Sequence, residues 1–313
     1  MGRGSGFGKA ILFGEHFVVH GVPGIASAID STVDAEVKRT GAGITVKDER
    51  KGAKGYTQEK SAQQKESIER MLRTMGMNPG KTAIEIRLGG NLHGFSGIGA
   101  SAASSVAIAR AVSEEFKMRL SDEKINEIAY EAEKAYAGNP SGIDNTAATY
   151  GGLFWFKKNL GSGPNTIEKL SIKKPVEIVI GNTGIVADTK AMVTGVTARK
   201  KKNPGKYDAL FKQAEDLVST ARKSLEKFDL RKVGNLMNEN HGLLQEIEVS
   251  CKELDYLVNL ARERGAFGAK LTGGGGGGCM VTLTPGKELQ ETVAAAMENE
   301  GFQVLRTMIG VQK

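Results

Sequence analysis

The chain has 313 residues and a net charge of +7 at pH 7, and 40% of its residues are hydrophobic whereas 6% are aromatic. This length allows one large domain or two of ordinary size, with enough aliphatic material for a sizeable core. The positive charge suits nucleic acid, a membrane surface or small anionic ligands. Because no zinc-finger or RNA-binding aromatic signature accompanies the charge, small anions are favoured over nucleic acid. A merely soluble basic protein is the alternative interpretation of the charge.

The number of cysteines and the hydropathy of the chain indicate in which cellular compartment the protein is expected. Two cysteines, Cys251 and Cys279, are too few for a disulfide framework and lack metal-type CxxC spacing. No apolar run approaches the roughly 20 residues that span a bilayer. The first residues, "MGRGSGFGK", contain no hydrophobic signal core. We therefore expect a cytoplasmic protein.

Strands and helices interleave in the first half of the sequence. Alternating or continuous apolar residues predict strands at residues 9–29 (two short strands around a Gly-Glu-His turn), 31–40, 43–49, 82–90 and 151–156. Helical periodicity predicts helices at residues 67–76, 101–116 and 121–137, the last ending at Gly138-Asn139-Pro140. The charged, Lys/Gln-rich residues 48–66 predict a solvated excursion before the first helix.

The polar residues 157–174 separate this half from a second α/β segment, and we place the domain boundary there. Strands are predicted at residues 176–182, on both sides of a glycine run at residues 273–278, and at residues 302–310. Helices are predicted at residues 189–200, 207–228, 230–246, 251–264 and 288–299. The fold class is α+β, in two domains without an internal repeat.

Two glycine motifs imitate nucleotide-binding signatures. "GMNPGKT" (residues 76–82) has three residues between its glycines where a Walker A loop needs four, and it precedes a strand instead of a helix. "GIGASA" (residues 97–102) satisfies G-x-G-x-x-A, but "GGNLHGFS" separates it from the preceding strand. Both are interpreted as weak evidence, so a nicotinamide-dinucleotide site is a minor alternative.

The segment around residues 97–105 still suits an anion. A Gly/Ser loop runs directly into an amphipathic helix, so backbone N–H groups converge where the helix dipole is positive. Ser101, Ser104 and Ser105 could supply hydroxyls, and Ala102 and Ala103 allow close packing. The alternative is a small-residue helix start that binds nothing.

Residues 273–278 are six consecutive glycines between two strand-like segments, "AFGAKL" and "CMVTL". A flexible interdomain linker would have polar surroundings. A glycine loop allows backbone to approach a ligand without side-chain obstruction. Two such loops suggest one polyphosphate or substrate held from two sides, with a linker as the alternative.

Three charged side chains stand out. Glu133 shares a helix face with two alanines, at positions 129 and 137, which is unusual for a solvated charge. Asp144 follows in the turn-rich segment "GNPSGIDN", where an aspartate more often forms a turn or a cap. Lys9 precedes the apolar strand "AILF", and beside Asp144 it would keep that carboxylate ionised and offset charge on a phosphoryl group.

Four segments, in the same order and covering nearly the whole chain, together resemble the GHMP small-molecule kinase family. They are "GKAILFGEHFVVHG" (residues 8–21), "GIGASAA" (97–103), "EKAYAGNPSGIDN" (133–145) and "KLTGGGGGGC" (270–279). The first and third are similar in form to the family members that phosphorylate mevalonate. Ala100 stands where the family signature has its first serine, which leaves Ser101 to carry that hydroxyl.

The resemblance implies a fold and roles for these residues. The fold is an ATP-binding N-terminal domain (residues 1–170) with an unusual left-handed βαβ element and a ferredoxin-like C-terminal domain (171–313). Asp144 would be the catalytic base or the carboxylate that orients the substrate hydroxyl, with Lys9 as its partner. Ser101 and Glu133 would hold Mg²⁺. The nucleotide-binding residues implied are Gly97, Ile98, Gly99, Ala100, Ser101, Ala102, Ala103 and Ser104. The substrate-binding residues implied are Glu15, His16, Asp144, Thr189, Gly274 and Gly275.

The predicted activity is transfer of the ATP γ-phosphoryl group to the primary alcohol of mevalonate, in the isoprenoid pathway. The alternatives are a related kinase acting on phosphomevalonate, homoserine or a sugar, and a nucleic-acid-binding module that uses "ARKKKNPGK" (residues 198–206).

His20 and His241 are interpreted as structural. The cofactors implied are ATP and Mg²⁺, and the partners are mevalonate and ATP, with no nucleic acid or membrane. We also expect a homodimer.

Overall fold

Strands and helices alternate along the chain in the computed structural model, which describes residues 1–50, 53–95, 97–138, 140–186 and 188–311. The strands are β1 (Gly2–Phe13), β2 (Gly24–Arg39), β3 (Ile44–Asp48), β4 (Ile84–Gly89), β5 (Leu153–Lys157), β6 (Thr166–Leu170), β7 (Val176–Asn182), β8 (Gly268–Thr272), β9 (Cys279–Leu283) and β10 (Gln303–Ile309). The helices are α1 (Ala53–Thr74), α2 (Ala100–Glu115), α3 (Asp122–Ala137), α4 (Ile143–Tyr150), α5 (Thr189–Lys202), α6 (Pro204–Glu226), α7 (Leu230–Glu246), α8 (Lys252–Glu263) and α9 (Lys287–Asn299). This is the α+β class that the sequence predicts.

The strand β2 organises the first half of the chain. It pairs antiparallel with β1 along most of its length, with β4 near its end and with β5 near its start. The strands β3 and β4 pair in parallel and are joined by α1, which makes a βαβ unit. The helices α2, α3 and α4 cover this sheet and bury an aliphatic core.

The close contact between α2 and β1 explains the alternating glycines of "GRGSGFG". A Cβ at Gly2, Gly4 or Gly6 would lie within 2.3 Å of a carbonyl oxygen of α2. No side chain fits in that space, so the helix backbone rests directly on the strand. This packing places the start of α2 beside the end of β1 that carries Lys9, whose N–H donates to the carbonyl of Ile98 at 2.9 Å.

The second half has the order of a ferredoxin-like sheet. The strands β10, β7, β9 and β8 lie side by side in that order, and all neighbours are antiparallel. Helices connect β7 to β8 and β9 to β10, which gives the βαββαβ arrangement. One backbone pair, Ile309 with Ile29, joins β10 to β2 and so connects the two groups of strands.

Two helix predictions need correction. The predicted solvated excursion at residues 48–66 is wrong from Ala53 onward, because α1 begins there; residues 51 and 52 lie outside the described residues. Alanine, glutamine, glutamate and lysine are good helix formers, and the helix buries Ile68, Met71 and Leu72. The segment around Asp144 is also not a loop throughout, because α4 begins at Ile143 after a left-handed Gly142.

The other sequence predictions differ mainly in bounds. The strand β6 lies inside the polar stretch at 157–174, and four of its five residues are exposed. The predicted stop of α3 agrees with its last residue, Ala137, and with Gly138 as C-cap, while Asn139 lies outside the described residues. Within the described part of the chain, no helix combines the length and apolar character needed to cross a membrane.

Candidate active site

A cavity of about 890 Å³ lies where the two groups of strands meet. Its volume is in the range typical of small-molecule sites. The lining comes from β1 and the turn after it, the starts of α2, α4 and α5, the end of α3, and the six-glycine loop, residues 273–278. Most of the predicted site residues line it, namely Lys9, Glu15, His16, Gly97, Gly99, Ala100, Ser101, Glu133, Asp144, Thr189 and Gly274.

The predicted contact between Lys9 and Asp144 is present. Lys9 Nζ lies 3.1 Å from Asp144 Oδ1, with the lysine side chain 2% exposed and the aspartate 33% exposed. The stem of Lys9 passes over Gly99, where a Cβ would lie 2.7 Å from Lys9 Cγ. Asp144 lies in the first turn of α4, where the helix dipole stabilises a carboxylate. The pair therefore presents a partly open carboxylate to the cavity, backed by a buried ammonium group.

Glu133 lies close to the start of α2. Ser101 Oγ donates to Glu133 Oε2 at 3.2 Å, and Glu133 Oε1 is buried with no hydrogen-bond partner among the described residues. Burial, and secondarily the negative charge of Asp144, raises the pKa of Glu133 to about 8. A carboxyl group that is hard to ionise and has an unused oxygen is suited to a cation that would replace its proton. No cluster of three or more His, Cys, Asp or Glu side chains forms a metal site by itself in the described residues.

The six-glycine loop contacts the Gly/Ser segment directly. A Cβ on Gly273 would lie 2.7 Å from the Cα of Gly97, and a Cβ on Gly97 would lie 2.8 Å from the carbonyl oxygen of Thr272. Both residues have positive φ, 88° at Gly273 and 95° at Gly97. The two predicted loops therefore meet backbone to backbone at the cavity, which only glycine permits here.

Three later glycines of the six-glycine loop, Gly275, Gly276 and Gly277, contact protein and do not line the cavity. A Cβ at Gly275 would lie 2.0 Å from the carbonyl oxygen of Val249, and Gly276 and Gly277 face Met192 and Ile185. Gly274 does line the cavity, and Thr189 Oγ1 lies 2.5 Å from the position of its absent Cβ. The glycines are thus required as much by packing against α5 and the end of α7 as by the cavity.

Part of the predicted nucleotide-binding set points away from the cavity. The side chains of Ile98, Ala102 and Ala103 are fully buried in the core. Ser104 Oγ donates to the carbonyl oxygen of Ala100 at 2.7 Å. A helix turns its successive residues to different faces, so consecutive positions cannot all face one ligand. The side chains of these four residues are therefore not available to an anion, and the main-chain N–H of Ala103 donates to the carbonyl oxygen of Gly99 at 2.9 Å.

His16 holds the turn after β1 against the six-glycine loop. Its Nε2–H donates to the carbonyl oxygen of Gly274 at 2.9 Å, while Nδ1 is buried without a partner among the described residues. Burial lowers the pKa of His16 to about 4, so the ring is neutral at pH 7. A neutral ring with a free acceptor nitrogen can receive a hydrogen bond from a hydroxyl group.

Sequence reasoning missed Lys270. Its ammonium group pairs with Glu15, and both side chains are fully buried. Burial raises the pKa of Glu15 and lowers the pKa of Lys270, and each charge opposes the shift of the other. A lysine before a glycine run predicts a strand-end charge, and only the pairing of β8 with β9 places it beneath the turn after β1. Gln63, Phe95, Tyr136 and Asn145 also line the cavity without having been predicted.

The two histidines interpreted as structural differ in position. His241 is buried, lies 3.0 Å from Asp255 Oδ1 through Nε2, and accepts from the N–H of Leu271 at 3.4 Å. His20 packs against Phe211 with tilted rings at a centroid distance of 5.1 Å, but it also lines the cavity.

The Walker-like segment forms an exposed 3-10 turn at Pro79–Lys81 away from the cavity, as expected for an ordinary connection.

Family models match both halves of the chain. The model described as "GHMP kinases N terminal domain" matches residues 64–152, and "GHMP kinases C terminal" matches residues 221–303. The mevalonate kinase of Pyrococcus abyssi is 35% identical to the chain, and the alignment covers 96% of this chain and 93% of that protein.

Solved structures give the same result. The crystal structure of L. major mevalonate kinase in complex with R-mevalonate superposes with a TM-score of 0.92 at 36% identity, covering 99% of this chain and 96% of that one. The Methanococcus jannaschii mevalonate kinase superposes with a TM-score of 0.79 at 25% identity, covering 98% of each chain. The likeness therefore extends over both halves and includes every segment that lines the cavity.

Proposed function

The chain belongs to the GHMP kinase family and is similar to its mevalonate kinases over most of their length, and we propose that it transfers the γ-phosphoryl group of ATP to the primary alcohol of mevalonate. The observation that carries this proposal is the Lys9–Asp144 ion pair, which lies in one cavity with the start of α2. A carboxylate that can orient a hydroxyl group and a helix start that can bind phosphate are the two parts that phosphoryl transfer to an alcohol needs.

Asp144 orients the acceptor hydroxyl and receives its proton as the oxygen attacks. A bond forms between the acceptor oxygen and the γ-phosphorus, and the bond from that phosphorus to the β–γ bridging oxygen breaks, which releases ADP. Lys9 pairs with Asp144 and offsets charge on the transferring group. Because the transition state of phosphoryl transfer is loose, positioning and charge neutralisation contribute more than proton abstraction.

The triphosphate lies against residues 97–104 in this proposal. Main-chain N–H groups of that segment and the positive end of α2 hold the anionic oxygens. Gly97 and Gly99 keep side chains out of the way, and Ser101 provides the hydroxyl. Ile98 and Ala102 contribute backbone. Ala103 and Ser104 secure the start of the helix, because the N–H of Ala103 donates to the carbonyl oxygen of Gly99 and Ser104 Oγ donates to that of Ala100.

Mg²⁺ fits the residues around Glu133. Glu133 Oε1 is buried without a partner among the described residues, and Ser101 Oγ is the hydrogen-bond partner of Oε2. We infer that Ser101 and Glu133 hold the ion. A bound Mg²⁺ would supply positive charge that offsets the charge of the phosphates, with Glu133 as a carboxylate ligand.

The acceptor lies beside the turn after β1. Glu15, His16, Thr189 and Gly274 line the same cavity, and the carbonyl oxygen of Gly274 accepts from His16 Nε2. Gly275 supports the six-glycine loop from behind, since it packs on Val249. In this proposal, Asp144 lies between the acceptor alcohol and the triphosphate.

Domain organisation, assembly and location complete the proposal. We place the domain boundary after Leu170, the last residue of β6 and of the first group of strands. We also predict a homodimer in the cytoplasm that binds neither nucleic acid nor membrane. Sedimentation equilibrium tests the dimer directly.

A panel of acceptor alcohols tests the proposed function. ADP release is coupled to an optical assay with mevalonate, phosphomevalonate, homoserine and galactose, at equal concentrations of acceptor and Mg-ATP. We expect the highest kcat/KM with mevalonate, and a phosphomonoester on its primary hydroxyl by ³¹P NMR. Turnover with another acceptor and none with mevalonate would refute the acceptor assignment. Steeply salt-dependent affinity for DNA or RNA without kinase activity would instead support the nucleic-acid alternative.

A further inference from the structure

The turn at residues 14–16 is held at each of its three positions by a residue from the second half of the chain. Asn240 Oδ1 accepts from the N–H of Gly14 at 3.4 Å. Lys270 pairs with Glu15, and the carbonyl oxygen of Gly274 accepts from His16 Nε2 at 2.9 Å. The first-half turn that forms one wall of the cavity is therefore fixed by α7, β8 and the six-glycine loop.

The backbone of this turn needs such support. His16 has φ of 59° and ψ of −44°, outside the regions that a residue with a side chain ordinarily adopts. A residue in such a conformation persists only where its surroundings determine it. Three contacts hold the turn at residues 14–16. The one between Glu15 and Lys270 lies next to His16 and is the charged one.

Lys270 acts on the cavity only through Glu15. Its side chain is fully buried and does not line the cavity, and its ammonium group also donates to the carbonyl oxygen of Leu271 at 2.6 Å. Glu15 does line the cavity, with Oε1 bonded to Lys270 and Oε2 without a partner in the described part of the chain. The lysine thus fixes the orientation of the Glu15 carboxylate at the cavity wall.

We propose that Lys270 is a positioning residue that holds Glu15 and the turn at residues 14–16 in the geometry that binds the acceptor alcohol. This inference rests on the proposed function, because it assigns the turn to the acceptor side of the cavity. The nucleotide side is formed by the start of α2, whereas the hydrogen-bond partners of the Lys270 ammonium group are Glu15 and the carbonyl oxygen of Leu271. Loss of the ammonium group should therefore raise the KM for the acceptor and leave the KM for ATP unchanged.

Two variants and a control test the proposal in steady-state assays of the purified full chain with mevalonate. Lys270→Met removes the ammonium group, Glu15→Gln with Lys270→Met removes both charges, and Lys212→Met changes an exposed lysine on α6. In Lys270→Met we expect an acceptor KM raised by about tenfold or more, with the ATP KM within about twofold of the parent. The double variant should recover thermal stability, because no lone buried charge remains, but keep the raised acceptor KM.

The outcomes separate positioning from a merely structural role. A double variant with parental stability and parental acceptor KM would overturn the proposal, even if Lys270→Met alone does not fold. Equal increases in the KM for ATP and for the acceptor would also overturn it. If the parent protein uses a different acceptor from the panel, the acceptor assignment fails, and the same comparison made with that acceptor still decides the role of Lys270.

Discussion

Lys9 Nζ lies 3.1 Å from Asp144 Oδ1, and the two partners differ in exposure, with the lysine side chain 2% exposed and the aspartate 33% exposed. The stem of Lys9 packs over Gly99 at the start of α2, whereas the carboxylate remains accessible from the cavity. A buried cation behind a reachable carboxylate supplies positive charge to the site and still lets a hydroxyl group approach the carboxylate. The proposed chemistry depends on this asymmetry.

Replacement of Lys9 by methionine tests the cationic half of the pair. Removal of one charged group that stabilises a transition state typically costs roughly a hundredfold or more in kcat. We expect Lys9→Met to lower kcat by about that factor and to leave folding intact, because Asp144 can be solvated from the cavity. Steady-state kinetics and circular dichroism measure both effects. Lys38→Met, at an exposed ion pair with Glu85, is the matched control, and a kcat equal to the control's would exclude Lys9 from catalysis.

Glu133 gives a prediction for pH and stability. Its pKa is about 8 in the folded protein against 4.5 for an ordinary glutamate. The folded state then binds more protons than the unfolded state across this interval, so the stability of the metal-free protein falls as pH rises from about 4.5 through about 8. Glu133→Gln is neutral at every pH, and its stability advantage over the parent should grow with pH to the order of a few kcal/mol.

Urea unfolding of the metal-free protein from about pH 5 to about pH 9 measures this difference. Glu131→Gln, two residues away at a partly exposed ion pair with Lys134, controls for the loss of a surface carboxylate. If the Glu133→Gln and parent curves run parallel across the range, the raised pKa is wrong. In the presence of Mg-ATP, Glu133→Gln should lose activity although it is the more stable protein.

The contact between Gly97 and Gly273 predicts that an added methyl group cannot be accommodated. Both residues have positive φ, and each Cβ would lie under 3 Å from backbone atoms of the other loop. We expect Gly97→Ala and Gly273→Ala each to cost roughly 1–3 kcal/mol of stability and to weaken ATP binding. Gly242→Ala is the control, since it lies in α7 with no atom within 4 Å of its Cβ position and should stabilise the helix by about 0.5–1 kcal/mol. Calorimetric titration with ATP would show unchanged affinity in Gly97→Ala if the segment does not bind phosphate.

Local sequence patterns were sufficient to identify some of the site residues but not the others. Glu133 could be singled out because two alanines share its helix face, and it is buried in the structure. The contact of Lys9 with Asp144 joins distant elements, so only the family resemblance brought them together. Lys270 could not be found this way, because its pairing with Glu15 arises from the register of β8 in the sheet.

The predicted bounds of helices and strands were wrong where local sequence signals conflict with tertiary packing. The glycines around Asp144 indicate a loop, yet one of them, Gly142, serves as the N-cap of α4. The alternating glycines of β1 weaken a strand in isolation, and here they are required because α2 rests on them. In both places tertiary contact decides the conformation, and a local window of sequence does not contain that contact.

The chemical step in Asp144→Asn tests the central claim most directly. Asparagine preserves the size of the side chain but can neither take up the hydroxyl proton nor form an ion pair with the ammonium group of Lys9. In single-turnover quench-flow with Mg-ATP and mevalonate, we predict a transfer rate at least about a hundredfold below the parent, with the Kd for ATP within about twofold. A transfer rate in Asp144→Asn close to that of the parent would contradict the assignment of Asp144, and with it the proposed role of the Lys9–Asp144 pair.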